Sequence, residues 1–221
     1  MRITDELGDV AKLGGFFAIG VGEPPGRWQP IERFYTDGFA DLITRTAEGR
    51  GAGALRVSAS LVQFSIASRL WSPALACAVM HGVAPDFVGL QRAGDSADLA
   101  IVEPTGVRGS ESELVEVLYE AVVQRHLEPL GAGLGVKLAP GLLYGNVASA
   151  MVAATRALYS ARPRLRDPAT RLARALLDTG KLTGTGTVKY NLAFRRRSCC
   201  LYYRIADGAK CGDCGLTRPA R

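Results

Sequence analysis

The 221-residue sequence is poor in histidine, in aromatic residues and in long apolar runs. It contains only two histidines, the side chain that acts most often as a general acid or base. The longest apolar stretches, 13–22 and 71–80, fall well short of the roughly 20 residues that a membrane-spanning helix needs. Asp5 and Glu6 stand where a signal peptide would have a basic start. We therefore expect a cytoplasmic protein without a transmembrane segment.

The composition, with 48% hydrophobic and 22% charged residues, is typical of one compact globular domain. Apolar spacing predicts a mostly helical α+β fold with a small antiparallel sheet and an irregular C-terminal segment. The strongest helix signal is the capping box of Ser110 and Glu113, which begins a helix predicted to reach about Pro129. We divide the chain into a helical body, 1–186, and a cysteine-rich segment, 187–221, that packs on the body as one structural unit.

The remaining elements follow from periodicity and from breaker residues. Helices are predicted over 4–13, 31–46, 54–70, 73–80 and 140–160, with a last one that Asp167 caps and that ends near Gly180. The helix over 73–80 is predicted to be separate because Pro73 suits a first turn. A strand is predicted over 16–21, and a hairpin over 87–91 and 97–103. Glycines are predicted to form a loop over 131–135. The glycines at positions 49, 51 and 53 are predicted to separate the helices over 31–46 and 54–70.

The net charge of +6 is confined to the C-terminal segment. Residues 187–221 contain eight basic and two acidic residues, whereas the preceding residues contain 19 of each sign. Four of the five cysteines lie in the same segment. A basic tail without structure is usually poor in cysteine and apolar residues, so this segment is predicted to be folded.

The cysteines follow the pattern C-C-x10-C-x2-C, formed by Cys199, Cys200, Cys211 and Cys214. In a cytoplasmic protein such a group binds metal more often than it forms disulfides. Neighbouring residues of a strand point to opposite faces, so an adjacent pair that shares one metal site predicts a turn or irregular backbone at 199–200. The fifth cysteine, Cys77, lies in an apolar run and is predicted to be buried.

The spacing leaves three kinds of site open. A structural zinc usually takes its ligands as C-x2–4-C pairs, which the adjacent cysteines do not match. An iron-sulfur cluster accepts four cysteines in several spacings and is therefore favoured. A catalytic dithiol is the third alternative.

Two segments give a resemblance to a known family. The run 196–204, RRSCCLYYR, and the run 211–216, CGDCGL, resemble the C-terminal signature of the FhuF-type ferric siderophore reductases. Leu143-Tyr144-Gly145-Asn146 is similar to a Trp-Gly-Asn element on a helix of that family, with tyrosine in the tryptophan position. Gly215 stands where many relatives have proline, which affects only the local turn.

The resemblance implies that the four cysteines hold a 2Fe-2S cluster, which acts as an electron carrier to a ferric siderophore of the hydroxamate or catecholate type. Reduction would release the iron, because hard oxygen donors hold the divalent ion far less tightly than the trivalent one. An electron-donor protein or a small reductant would then restore the reduced state. Nucleic acid is not an expected partner.

The basic residues of the cysteine-rich segment, 187–221, which we call the tail, are candidates for substrate binding. Nearby cations raise the potential of an anionic cluster and attract anionic chelates; the candidates are Arg195, Arg196, Arg197, Arg204 and Lys210. Trp71, Tyr144 and Asn146 are candidates for lining a chelate pocket. The alternative is that the arginines only form a solvated surface. His81 and His126 are predicted to be structural residues near helix ends.

Two other functions remain compatible with the sequence. One is a zinc-stabilised module whose basic tail binds nucleic acid or an acidic partner. The other is an iron-sulfur redox sensor.

Overall fold

A computed structural model describes residues 1–23, 26–48, 54–94, 96–189, 191–205 and 208–217, so the predicted glycine spacer at 49, 51 and 53 lies outside the described residues. The α-helices are α1 (Thr4–Ala11), α2 (Ile31–Thr36), α3 (Ala40–Ala47), α4 (Ala54–His81), α5 (Glu111–Leu118), α6 (Glu128–Gly133), α7 (Pro140–Ala161) and α8 (Arg166–Leu177). The strands are β1 (Gly20–Val21), β2 (Trp28–Pro30), β3 (Val83–Pro85), β4 (Leu90–Ala93), β5 (Leu99–Ile101), β6 (Gly106–Arg108), β7 (Gly186–Val188) and β8 (Phe194–Arg196). The mostly helical α+β class is confirmed.

Helix α4 forms the centre of the fold and packs most extensively against α7. Small residues on the two helices, such as Ala67 and Ala74 on α4 and Ala148 and Ala150 on α7, are fully buried. Small side chains let two helix backbones approach closely. Although α4 is long, no helix among the described residues is long and apolar enough to cross a membrane.

The prediction of two separate helices around Pro73 is wrong, because α4 continues through this proline. Proline inside a helix removes a backbone hydrogen bond and costs about 3 kcal/mol. The neighbouring Leu70, Trp71 and Leu75 are almost completely buried, and each buried large apolar side chain contributes roughly 1.5–3 kcal/mol. Burial on both sides of the proline therefore offsets the local penalty.

The predicted hairpin is confirmed, with shifted bounds, as the antiparallel pair β4 and β5, in which Leu90 lies opposite Ile101. These strands form the centre of a four-stranded sheet of order β1-β5-β4-β2, in which β1 runs parallel to β5. The predicted strand over 16–21 is shorter than expected. Its first part, Gly15–Phe17, is a 3₁₀ turn.

Two helix boundaries differ from prediction. The predicted helix over 31–46 is divided into α2 and α3, because Gly38 and Phe39 adopt left-handed backbone conformations that end α2. The predicted loop over 131–135 begins later than expected, since α6 extends to Gly133. Gly133 packs directly on the backbone of Tyr35, where a side chain would overlap the Tyr35 carbonyl oxygen. This glycine therefore serves close packing inside a helix.

The capping box of Ser110 and Glu113 is confirmed at the start of α5. A π-helical segment, Tyr119–Leu127, joins α5 to α6, so helical structure continues past the predicted end at Pro129. Helix α7 matches its predicted bounds closely. Asp167 lies in the first turn of α8 and is not its N-cap, because a 3₁₀ turn, Pro163–Leu165, leads directly into this helix.

Candidate metal centre

The cysteine-rich segment follows β8, which pairs with β7. Cys199 and Cys200 lie in irregular backbone, which confirms the expectation from their adjacency. Leu201 adopts a left-handed conformation and so turns the chain directly after the pair. The second pair is closed by a turn in which the Cys214 N–H donates to the Cys211 carbonyl oxygen at 3.0 Å.

The four thiols of the segment are free, and Cys200 Sγ lies 3.3 Å from Cys211 Sγ. This separation exceeds the disulfide bond length of about 2.05 Å and brings one thiol of each pair together. Each pair has one buried member, Cys200 or Cys214, and one partly exposed member, Cys199 or Cys211. The group therefore has a side that faces the protein and a side that reaches the surface.

Burial makes two of the thiols, Cys199 and Cys211, weaker acids by raising the pKa of each. It raises the pKa of Cys211 to about 12, and the hydrogen bond with Cys200 acts in the same direction. Burial also raises the pKa of Cys199, partly opposed by the hydrogen bond that the Leu201 N–H donates to Cys199 Sγ at 3.3 Å. Thiolates are the metal-binding form, so loading this site with iron releases protons.

The chemistry of the donor set fits a two-iron cluster. A 2Fe-2S cluster is larger than a single ion and takes two protein ligands on each iron. The segment provides four free thiols, and Cys200 and Cys211 bring one thiol of each pair into contact.

A buried arginine attaches the second cysteine pair to the body. Arg196 is 3% exposed, and its Nε donates to Asp213 Oδ2 at 2.9 Å. Its backbone N–H donates to the Asp213 carbonyl oxygen at 3.0 Å. Because Asp213 lies between Cys211 and Cys214, this double contact fixes the turn that presents both thiols. The Ser149 hydroxyl accepts from Arg196 Nη2 at 2.5 Å and donates to Asp213.

A second set of hydrogen bonds attaches the first pair to the same helices. Asn146 is fully buried on α7 and accepts from Arg196 Nη1 at 2.6 Å. Its Nδ2 lies 3.0 Å from Ser60 Oγ on α4, and Ser60 Oγ donates to the Cys200 carbonyl oxygen at 2.9 Å. Both cysteine pairs are thus held by one buried polar network that spans α4, α7 and the tail. Such fully satisfied networks rigidify the groups they connect.

Gly145 explains why the tail can lie so close to α7. A Cβ built at this position would overlap Ser198 Oγ, the residue before the cysteine pair. Gly145 therefore leaves space for the tail to pack on α7, and the side-chain amide of the next residue, Asn146, accepts a hydrogen bond from Arg196. Its neighbour Tyr144 faces elsewhere, since its hydroxyl donates to Glu128 Oε1 at 3.2 Å.

A cavity of about 420 Å³ opens beside the cysteines. Cys200, Cys211 and Arg196 contribute to its wall, together with Arg156 on α7. The rest of the wall is mostly apolar and includes Leu61, Phe64, Val152, Phe194 and Tyr202. A ligand in this cavity would contact the two thiols directly.

The structure changes the roles of several predicted binding residues. Arg196 and Asn146 are buried and hydrogen-bonded to each other, so both position the tail, although Arg196 also contributes to the wall of the cavity. Trp71 is fully buried in the core and has no contact with the cavity. Tyr144 lines a separate cavity beside Lys181. None of these corrections was visible from residue type, because burial depends on distant segments.

The other predicted cations remain accessible. Arg197, Arg204 and Lys210 are exposed, while Arg195 is half-buried and Arg195 Nη2 lies 3.5 Å from the Gly215 carbonyl oxygen. The predicted burial of Cys77 is confirmed. His126 is also buried, where it contacts the Tyr35 hydroxyl and the Phe87 carbonyl oxygen. His81 ends α4 and lies 3.3 Å from Asp9.

Sequence reasoning missed the roles of Ser60, Ser149 and Asp213. The two serines gave no signal, since serine on a helix is ordinary. Asp213 was visible inside the C-x2-C turn, but its partner lies 17 positions away. The arginines of α7 and α8 were also missed, although six arginines and one acidic residue occupy 156–174.

Comparison with known proteins agrees with this geometry. Residues 196–215 match the family described as the FhuF 2Fe-2S C-terminal domain. The match contains all four clustered cysteines, together with Arg196 and Asp213. The search of curated proteins found no match to the chain. Residues 196–215 are therefore similar to a 2Fe-2S-binding C-terminal domain of the FhuF type, and the cofactor that this match indicates is a 2Fe-2S cluster.

Proposed function

We propose that this protein is a cytoplasmic ferric siderophore reductase that transfers one electron to chelated ferric iron. The observation that carries the proposal is the apolar cavity that opens directly onto Cys200 and Cys211 within the 2Fe-2S domain. A cavity at the ligands lets a chelate come close enough to receive an electron.

Cys199, Cys200, Cys211 and Cys214 are the proposed cluster ligands. They are the cysteines within the matched residues, and their spacing is the one expected for the family signature. The bound cluster supplies one-electron redox chemistry. Asp213 and the Cys200 carbonyl group, held by Arg196 and Ser60 respectively, keep the two cysteine pairs at fixed positions.

The chelate is proposed to bind with its ligand shell against the apolar wall of the cavity. Phe64 and Val152 provide apolar contacts, and Arg156 in the wall makes no ion pair among the described residues. A free cation can pair with a negatively charged chelate or lie beside a neutral one. Arg197, Arg204 and Lys210 are exposed on the same tail and add steering over longer range.

The reaction needs no covalent bond to break within the protein. The ferric ion is reduced by one electron, and the protein is oxidised by one electron. The ferrous ion then leaves, because hydroxamate and catecholate oxygens bind the divalent ion far less tightly than the trivalent ion. A donor protein or a small reductant restores the reduced protein.

The test uses anaerobically purified protein that is reduced with dithionite, freed of excess reductant and mixed with a ferric trihydroxamate. We expect the visible absorbance of the oxidised protein to return as a ferrous-specific dye detects one Fe²⁺ per protein. Gallium trihydroxamate, which has similar size and charge but no accessible reduction, is the control. Protein that stays reduced while no Fe²⁺ forms would exclude the reductase.

The same experiment separates the alternatives. A redox sensor would react with oxidants in general and show no preference for a chelate that fits the cavity. Bulky substitution in the wall, such as Val152→Trp, should slow reduction of the chelate but leave reoxidation by ferricyanide unchanged. Equal effects on both reactions would favour the sensor. The zinc alternative is disfavoured by the match to a 2Fe-2S domain.

A further inference from the structure

A second, larger cavity lies beside the proposed chelate site. Its volume is about 650 Å³, and its wall is formed by α7, α8 and the loop before β8. Four arginines line it, namely Arg156, Arg166, Arg171 and Arg174. We call this cavity the arginine cleft. Although the body has equal numbers of basic and acidic residues, its charge is strongly segregated here.

Arg174 Nη2 donates to the Lys189 carbonyl oxygen at 2.7 Å, whereas the other three arginines of the cleft make only weak contacts or no ion pair within the described residues. Arg171 Nε lies 3.5 Å from Glu111 Oε2, but both side chains are at least half exposed, and such exposed pairs contribute about 0–1 kcal/mol. Arg166 lies over the ring of Tyr159 at 5.1 Å. Arg156 makes no ion pair among the described residues. Asp167 is the acidic residue in the wall, so the cleft remains positively charged.

The composition of the cleft suits a protein surface better than a small molecule. Small-molecule pockets are mostly apolar, with a few polar groups that fix orientation. This cleft is lined mainly by charged and polar side chains. Arginine is enriched in protein interfaces, and a concave surface of one charge sign speeds the encounter with a partner of opposite charge.

The position of the cleft relates it to electron transfer. Arg156 lines both the arginine cleft and the cavity beside Cys200 and Cys211. Asn191 lines the cleft, while the nearby Ala193 and Phe194 line the cavity. A partner that covers the cleft would therefore lie alongside the thiols. Because Arg156 lines both cavities, the partner protein and the chelate would lie next to each other at this residue.

We propose that the arginine cleft is the docking surface for a small acidic electron-donor protein. This inference rests on the proposed function, which requires a source of electrons. One electron passes from the reduced donor to this protein, so the donor is oxidised by one unit and no bond forms or breaks. Weak electron-transfer complexes bury less than about 1,200 Å², which a cleft and its rim can provide.

The test measures binding of an acidic plant-type 2Fe-2S ferredoxin to the intact, cluster-loaded protein by calorimetry at low and at physiological salt. The variant Arg166→Gln/Arg171→Gln removes two charges from the cleft. The matched control Arg33→Gln/Lys137→Gln removes two exposed charges that do not line it. We expect the cleft variant to bind at least about tenfold more weakly and the control to change less than about twofold, because charges at an interface act locally.

Equal losses in the two variants would show nonspecific attraction and overturn the proposal, as would the absence of wild-type binding at low salt. Pyrophosphate is the competing probe. If it saturates the cleft at micromolar concentration without displacing ferredoxin, the cleft is a small-anion site and the proposal fails.

Reduction of the ferric trihydroxamate by dithionite-reduced protein does not need the donor. That reaction therefore tests the reductase independently, so failure of either idea can be recognised separately.

Discussion

Arg196 holds Asp213 by its side chain and by its backbone, although 16 residues separate the two in sequence. The guanidinium is 3% exposed and the carboxylate 19% exposed, so water screens this ion pair poorly. The same arginine contacts Asn146 and Ser149 on α7. One buried charge therefore connects the Cys211–Cys214 turn to the helical body.

The first prediction concerns this arginine. Arg196→Gln should lower the free energy of unfolding by about 3–5 kcal/mol, because it leaves the Asp213 carboxylate without its cation. It should also speed loss of iron to a chelator. Arg197→Gln is the matched control, since the neighbouring side chain is exposed, and it should change stability by less than about 0.5 kcal/mol. Thermal unfolding and the decay of visible absorbance measure both effects, and similar values for the two variants would contradict the anchoring role.

The second prediction concerns the cysteines. Serine at Cys199, Cys200, Cys211 or Cys214 should lose or destabilise the cluster, because a serine oxygen is a poorer ligand for the irons than a thiolate. Cys77→Ser should retain it, since Cys77 is buried in α4 away from the tail. Iron and inorganic sulfide content, measured after anaerobic purification, give the result. Tightly bound zinc with no sulfide in the wild type would refute the cluster.

The third prediction uses two glycines of the same helix. Gly145→Ala should destabilise the protein by roughly 1–3 kcal/mol, because the added methyl group overlaps Ser198 and forces the tail away from α7. Gly141→Ala places its methyl group in open space and should be neutral or slightly stabilising. Denaturant unfolding of both variants makes the comparison. A harmless alanine at position 145 would show that the tail does not pack on α7 in this way.

The fourth prediction concerns acid stability. Burial lowers the pKa of His126 from 6.5 to about 4, and the charge of Arg125 acts in the same direction. Between these two values the unfolded chain binds a proton that the folded chain does not, so stability falls as the pH decreases from 6.5 to 4. The loss attributable to His126 should reach about 3 kcal/mol. Denaturant unfolding across this range should show a shallower slope for His126→Gln, and an unchanged slope would reject the assignment.

The fifth prediction concerns the exposed cations of the tail. If Arg197, Arg204 and Lys210 steer anionic chelates, replacing them with glutamine should slow reduction of an anionic ferric chelate and weaken its salt dependence. Salt shortens the reach of such steering to about 8 Å near physiological ionic strength. A neutral ferric hydroxamate should respond far less. Stopped-flow rates across a salt series make the comparison, and an equal salt response for both chelates would reject steering.

The sequence by itself determined the features whose residues are close together along the chain. All four cysteines lie within 16 positions, so their spacing favoured an iron-sulfur cluster over zinc and a dithiol, and it predicted the irregular backbone at 199–200. The capping box of Ser110 and Glu113 is likewise local, since it depends on hydrogen bonds between residues three positions apart.

The tertiary structure decided everything that depends on burial by distant segments. Arg195, Arg196 and Arg197 are identical in type and adjacent, yet Arg196 alone of the three is buried, because alternation along β8 directs it to Asn146 and Ser149. Pro73 remains inside α4 because the core around Leu70 and Leu75 outweighs its local preference. The arginine cleft exists because α7 and α8 place four arginines around one cavity, which the run of arginines over 156–174 does not show by itself.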